Sequence, residues 1–155
     1  AYSLNNLTRN KQMPYATLTE LLERIPEGVL IDLTDDDAAG VVDTDKVDRA
    51  IGDADTEIDS YLGRRYPLPI EPAPPLLVRL SLDLATEVLY GRRAHVDTPE
   101  AVTRAARTAR SILADIAVRK ADLPGLADTT AGAGPSGASF SADGRLFTRG
   151  SQRGL

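Results

Sequence analysis

Cysteine and tryptophan are both missing from this 155-residue chain, and His95 is its single histidine. Without cysteine there is no disulfide framework, thiolate zinc site or cysteine nucleophile, and the redox compartment leaves no trace. One histidine excludes a multi-histidine metal site, and its place between two helical patterns reads as a cap or surface residue rather than part of a catalytic relay. Aromatic residues make up 5% of the chain, with two phenylalanines. The core must therefore be built from leucine, isoleucine, valine and alanine, a palette that favours helices over sandwiches. No apolar run approaches the roughly 20 residues needed to span a bilayer, and the first residues lack the charged-then-apolar order of a signal peptide, so the expectation is a protein that stays in the cytosol where it is made. A net charge of -5 and a pI near 4.9 argue against a surface devoted to nucleic acid.

What is present is a chain long enough for one domain, with 42% apolar residues to fill one core. Residues 1–16 are expected to form an arm. Ala1 to Gln12 are polar, Asn-rich and aperiodic, and Met13 is a second possible start. Thr17 and Glu20 make a capping box for a short first helix carrying Leu18, Leu21, Leu22 and Ile25, which Pro26 and Gly28 stop. Val29 to Leu33 reads as a brief extended segment. A second helix is expected with Thr44 as N-cap, running to Leu62 with Val47, Ala50, Ile51, Ala54, Ile58, Tyr61 and Leu62 on one face and Gly63 as a left-handed cap. Five prolines between Tyr66 and Pro75 forbid helix and predict a stiff, extended spacer. A third helix, Pro75 to Arg92, is apolar nearly all round and should be the centre of the core. A fourth, capped by Thr98 with Pro99 in its first turn, runs to about Lys120. The fold expected is all-α, a small four-helix bundle over residues 17–123. Residues 124–155 are a Gly-rich linker followed by a tail bearing Arg145, Arg149 and Arg153.

Charge is zoned along the chain. Asp32 to Asp59 holds eleven acids against Lys46 and Arg49, and Ser60 to Lys120 holds ten bases against six acids. Such zoning suits a subunit that shows different faces to different neighbours, and equally a solvated acidic face. Asp35, Asp37, Gly40, Asp43 and Asp45 invite a calcium reading. An EF-hand count from Asp35 puts Ala39 at the fifth position and Lys46 where the bidentate Glu belongs, so an acidic turn capping the second helix is the better reading. Asp83 and Glu87 stand four apart on one helix but no second constellation points to acid–base work there. The glycines from Gly132 to Gly144 lack the lysine and the strand-to-helix context of a phosphate-binding loop. Arg104, Arg107 and Arg110, at three-residue spacing, are a candidate stripe for phosphates, for acidic neighbours, or for solvent alone. No catalytic residue, metal ligand or cofactor site emerges, and no enzyme is expected.

Four blocks then stand out: Tyr15-Ala16-Thr17-Leu18; Leu30-Ile31-Asp32-Leu33-Thr34-Asp35; Ala54 through Ile58-Asp59-Ser60-Tyr61-Leu62-Gly63-Arg64-Arg65-Tyr66-Pro67-Leu68-Pro69; and Phe147-Thr148-Arg149-Gly150-Ser151-Gln152-Arg153-Gly154-Leu155. In this order they resemble the Mu-like prophage family of small virion proteins, the stretch from Ile58 to Pro69 being the specific one. The resemblance implies a head-tail adaptor, a helical head-completion protein of a tailed phage. Twelve copies would ring the underside of a twelve-fold portal, join it to stopper or tail proteins, and continue the DNA channel at the neck of a virion assembled in the host cytoplasm. In similar adaptors the C-terminal segment docks into the portal, which implies that role for Arg145, Leu146, Phe147, Arg149, Arg153 and Leu155. A linker ending in such anchors suits folding on binding, and twelve weak attachments act jointly. Asp35, Asp36, Asp37, Arg104, Arg107 and Arg110 are the candidates for facing a neighbouring subunit or the channel, where acids would repel passing DNA and keep it from sticking. Ala1 to Gln12 depart from the family pattern.

Two other readings compete. A stopper or tail terminator would differ in partner and should be β-rich. A helical DNA-binding module would rest on Arg104, Arg107 and Arg110.

Overall fold

The computed structural model describes residues 13–93 and 96–126. Among them the secondary structure is entirely helical, with five helices packed together: α1 (Leu18–Arg24), α2 (Glu27–Thr34), α3 (Thr44–Leu62), α4 (Pro75–Gly91) and α5 (Glu100–Ala117). The all-α expectation holds and the four-helix count does not. The additional helix is α2, where an extended segment was expected. Its apolar run, Val29 to Leu33, is too short for period to separate strand from helix. Leu30, Leu33 and Thr34 are the residues it buries, and that spacing is helical. Pro26 ends α1 and serves as the N-cap of α2, so one residue does both.

Three helices make the frame. α3, α4 and α5 all pack on one another, while α1 lies on α3 and α2 lies on α4. α4 is central, as its apolar circumference predicts: Leu77, Leu80, Leu84, Ala85 and Leu89 are completely buried. α3 buries the face expected of it from Val47 to Leu62, except that Tyr61 is half-buried and Asp55 joins the buried set. α5 faces the core with Ala106, Ala109, Leu113 and Ile116, and its small alanines allow close approach.

Helix ends differ from expectation in instructive ways. Asp43, not Thr44, caps α3, its carboxylate accepting from the Lys46 N–H at 3.2 Å. Gly63 has φ -62, so it closes α3 in right-handed geometry rather than as a left-handed cap. Pro99 precedes α5 and no side chain caps it, which removes Thr98 from the capping role. α4 and α5 also stop sooner than expected, at Gly91 and Ala117.

The proline-rich segment does more than space two helices, because Tyr66 and Ile70 are buried in the core cluster. The packed chain also begins before Thr17: Tyr15 and Ala16 are buried, inside the stretch assigned to the arm. At the other end Leu123 is buried and its N–H donates to the Tyr66 hydroxyl at 3.2 Å.

Candidate functional site

Neither a pocket of converging catalytic groups nor a metal-ligand set organises the described surface; among the described residues no cluster of His, Cys, Asp or Glu is placed to hold a metal ion. The charged residues are arranged instead in three junctions that tie helices together.

The first is the acidic loop between α2 and α3. Asp35 folds the loop on itself, accepting from the N–H groups of Asp37 (3.2 Å), Ala39 (3.0 Å) and Gly40 (2.7 Å). Those donors, Gly40 foremost, hold its carboxyl below the usual carboxylate range. Gly40 sits at φ +73, a left-handed conformation that a side chain rarely adopts. Asp36 is the hub: Lys46 Nζ lies 2.8 Å away, Arg92 2.7 Å and Arg93 3.0 Å. The Arg92 hydrogen bond and then that of Lys46 push the Asp36 carboxyl far below its ordinary value, and the two aspartates Asp36 and Asp43 raise the Lys46 ammonium. Arg92 also donates to the Leu33 carbonyl at 2.6 Å and Arg93 to the Asp35 carbonyl at 2.5 Å, so two cations meet the negative end of the α2 dipole. Thr34, fully buried, donates to the Leu30 carbonyl and accepts from the Asp43 N–H, which leaves its hydroxyl satisfied. Asp35 and Asp36 thus have internal partners, and Asp37 is exposed.

The second junction is Arg110. Successive steps of three residues drift about 60° round a helix, so three such arginines cannot share one line and the last turns toward the core. Arg104 is exposed and pairs with Glu100 one turn away at 2.8 Å, and Arg107 is exposed. Arg110 instead reaches Glu57 of α3 at 2.6 Å and Glu87 of α4 at 2.7 Å, clamping the three frame helices, and those carboxylates, Glu57 first, raise its pKa. Glu87 is separated in role from Asp83, which pairs with Arg24 of α1 at 2.7 Å. The two acids at four-residue spacing therefore serve different cations.

The third junction was not anticipated. Arg65, nearly fully buried, donates to the carbonyls of Ile116 and Ala121, each at 2.7 Å, pairs with Asp122, and lies 5.1 Å from the centre of the Tyr66 ring. It stands beside Arg64, which is exposed, and nothing in the sequence separates the two; only the placement of Tyr66 in the core does.

A clasp at the start of the packed chain completes the polar framework. The Tyr15 N–H donates to Asp55 Oδ2 at 2.9 Å, Ser81 Oγ donates to Asp55 Oδ1 at 2.6 Å, and the Tyr15 hydroxyl donates to Asp59 at 2.5 Å. Burial raises the Asp55 carboxyl, and burial together with the Asp59 carboxylate raises the Tyr15 phenol. Grooves among the described residues include one of about 410 Å³ between the α1–α2 turn, α4 and α5, and one of about 900 Å³ between α3 and residues 13–18.

This frame is what a comparison with known proteins can be read onto. A family model described as Bacteriophage Mu, Gp36 matches residues 15–142, which spans all five helices. The chain belongs to that family. It is a phage family of structural proteins and not one of enzymes. The match starts at Tyr15, the residue that the Asp55 and Asp59 clasp holds against α3, so the family region and the packed region begin together. No curated protein gives a match. Among the described residues no helix is long and apolar enough to cross a membrane. The tail candidates Arg145, Leu146, Phe147, Arg149, Arg153 and Leu155, the N-terminal residues 1–12 and His95 lie outside the described residues.

Proposed function

We propose that the chain is the head-tail adaptor of a tailed phage, a connector subunit that forms a dodecameric ring between the portal and the rest of the neck. The observation that carries this reading is family membership over an all-helical bundle whose charged junctions join helix to helix rather than surround a pocket. A ring subunit that carries load needs a stiff body, and the three junctions together with the Arg24–Asp83 pair fasten every helix to the frame. The tail from Arg145 to Leu155 is the portal-docking element, with Leu146 and Phe147 as apolar anchors and the arginines as their charged flank. Twelve such tails bound at once give strong attachment from individually weak contacts. Asp37 and Arg107 are the members of the two candidate charge sets best placed to meet a neighbour, because they are exposed and Asp35, Asp36 and Arg110 have internal partners.

Deleting Arg145 to Leu155 tests it. The truncated chain should keep its helical circular dichroism and fail to join portal-bearing heads; undiminished joining would remove the tail from docking. Counting copies at the neck by electron microscopy checks the ring directly.

The all-helical body speaks against the β-rich stopper and terminator reading. The DNA-binding reading is weakened by Arg110, since the stripe of three reduces to Arg104, itself beside Glu100, and Arg107. Reversing both should leave any salt-dependent DNA binding unchanged.

A further inference from the structure

The bundle has two unlike ends, and α3 runs 19 residues, about 27 Å, from one to the other. At the start of α3 lie the α2–α3 loop and the end of α4, joined where Asp36 meets Lys46, Arg92 and Arg93. Those three bases are engaged, while Asp37 and Asp45 are exposed and form no ion pair among the described residues. At the finish, Leu68 folds back over Gly63, and Arg65 ties the chain just past α5 to the same place. The exposed bases there are Arg64, Arg119 and Lys120, the last reaching Asp115 only at 3.7 Å. They stand against the exposed acids Glu71 and Asp122, of which Asp122 is already engaged by Arg65. Each end also carries exposed apolar surface: Val41 at the acidic end, Val118 and Leu68 at the basic one, both valines being 62% exposed. The non-glycine residues with positive φ among the described residues are Ala38 (φ 58) and Arg119 (φ 63), one within three residues of each valine. A left-handed conformation is costly for a residue with a side chain, and it persists where the surroundings hold a surface in one shape.

We propose that the end of the bundle at Val41 docks on the end at Val118 and Leu68 of a second copy, apolar side chains meeting at the centre and acids meeting bases around them. One chain cannot bring its own two ends together, because α3 holds them a helix length apart. The match between them is therefore satisfied between copies. Burying Val41 against Val118 and Leu68 removes apolar surface from water, and Asp37 and Asp45 opposite Arg64 and Lys120 set the orientation and reject the acid-to-acid alternative. Such a contact is heterologous: each copy gives one end and receives the other. Association then continues from copy to copy, and it closes into a ring where the rotation per copy allows. For that closure the inference rests on the ring reading above, whereas the two faces are argued from the described surface.

The cysteine-free sequence allows a direct test on the full-length protein. Val41→Cys and Val118→Cys proteins are prepared separately, mixed at high concentration and low ionic strength, and mildly oxidised. Disulfide-linked pairs holding one of each should exceed the self-pairs of either protein several-fold. Adding Asp37→Arg with Asp45→Arg to the first protein, or Arg64→Glu with Lys120→Glu to the second, should lower the mixed yield several-fold, and mixing the two charge-reversed proteins should restore it. All these substitutions fall on exposed residues, so the helical circular dichroism should stay unchanged. An excess of self-pairs, an absence of pairs, or a yield indifferent to charge reversal would each overturn the proposal. So would equal linkage of Val41→Cys to Leu22→Cys on α1, since a surface that meets everything has no partner. The ring reading is separated by the same proteins in assembled particles. Twelve copies at the neck without the mixed disulfide would remove this contact and leave the ring, whereas mixed pairs in solution with no ring at the neck would remove the ring and leave the contact.

Discussion

The two ends of α3 use the same chemistry in opposite surroundings. At its start, Arg92 and Arg93 reach the last carbonyls of α2 and the Asp36 carboxylate in a loop open to water. At its finish, Arg65 reaches the Ile116 carbonyl at the end of α5 and the Ala121 carbonyl just beyond it, from a position almost closed to water. Water can replace a lost cation at the wet end and cannot at the dry end, so equal geometry carries unequal weight. The lesson is that in this bundle an arginine's stabilising effect is set by what would replace it.

Leu84→Ala sets the scale for dry interior, because Leu84 is completely buried on the central helix; it should destabilise the fold by about 2 to 5 kcal/mol in urea titration. Arg65→Met should cost about 2 kcal/mol, since it leaves the Ile116 and Ala121 carbonyls without their donor. If Arg92→Met shifts the urea midpoint as much as Arg65→Met does, the contrast between the two ends is broken.

The wet end should instead reveal itself through pH. Asp36 has a folded-state pKa depressed below its unfolded value, so the stability it contributes is present above about pH 4 and is lost as pH falls through the acid range. Asp36→Asn should therefore flatten the acid limb of a stability–pH profile while moving the neutral-pH midpoint far less than Arg65→Met. Asp55 acts in the opposite sense. Burial raises its folded pKa, so its penalty applies at neutral pH and is relieved as pH falls through that raised value. Arg107→Ala, on the exposed face of α5, should change stability by less than ~0.5 kcal/mol.

Legibility followed the same divide between periodic and singular features. The inward faces of α3, α4 and α5 could be read from spacing alone, because apolar residues recurring every three or four positions have one economical way to be buried. α2 could not, since Val29, Leu30, Ile31 and Leu33 make too short an apolar run for a period to show. The junctions were legible only as composition: acids near Asp36 and bases near Arg92 were visible, but their meeting depends on α4 running back beside α2, a long-range fact. Arg65 and Arg64 are chemically identical in sequence and opposite in structure. Arg104, Arg107 and Arg110 look like one face at three-residue spacing, yet the helical drift of that spacing carries Arg110 inward.

Both ends of the described chain are tied beside the same helix, the first through Tyr15 to Asp55 and Asp59 and the second through Leu123 to Tyr66, just past the end of α3. A displacement at either end is therefore felt by the second half of α3 as well as by its neighbour in sequence, α1 or α5. That half of α3 is where the start and the finish of the described chain come under one restraint.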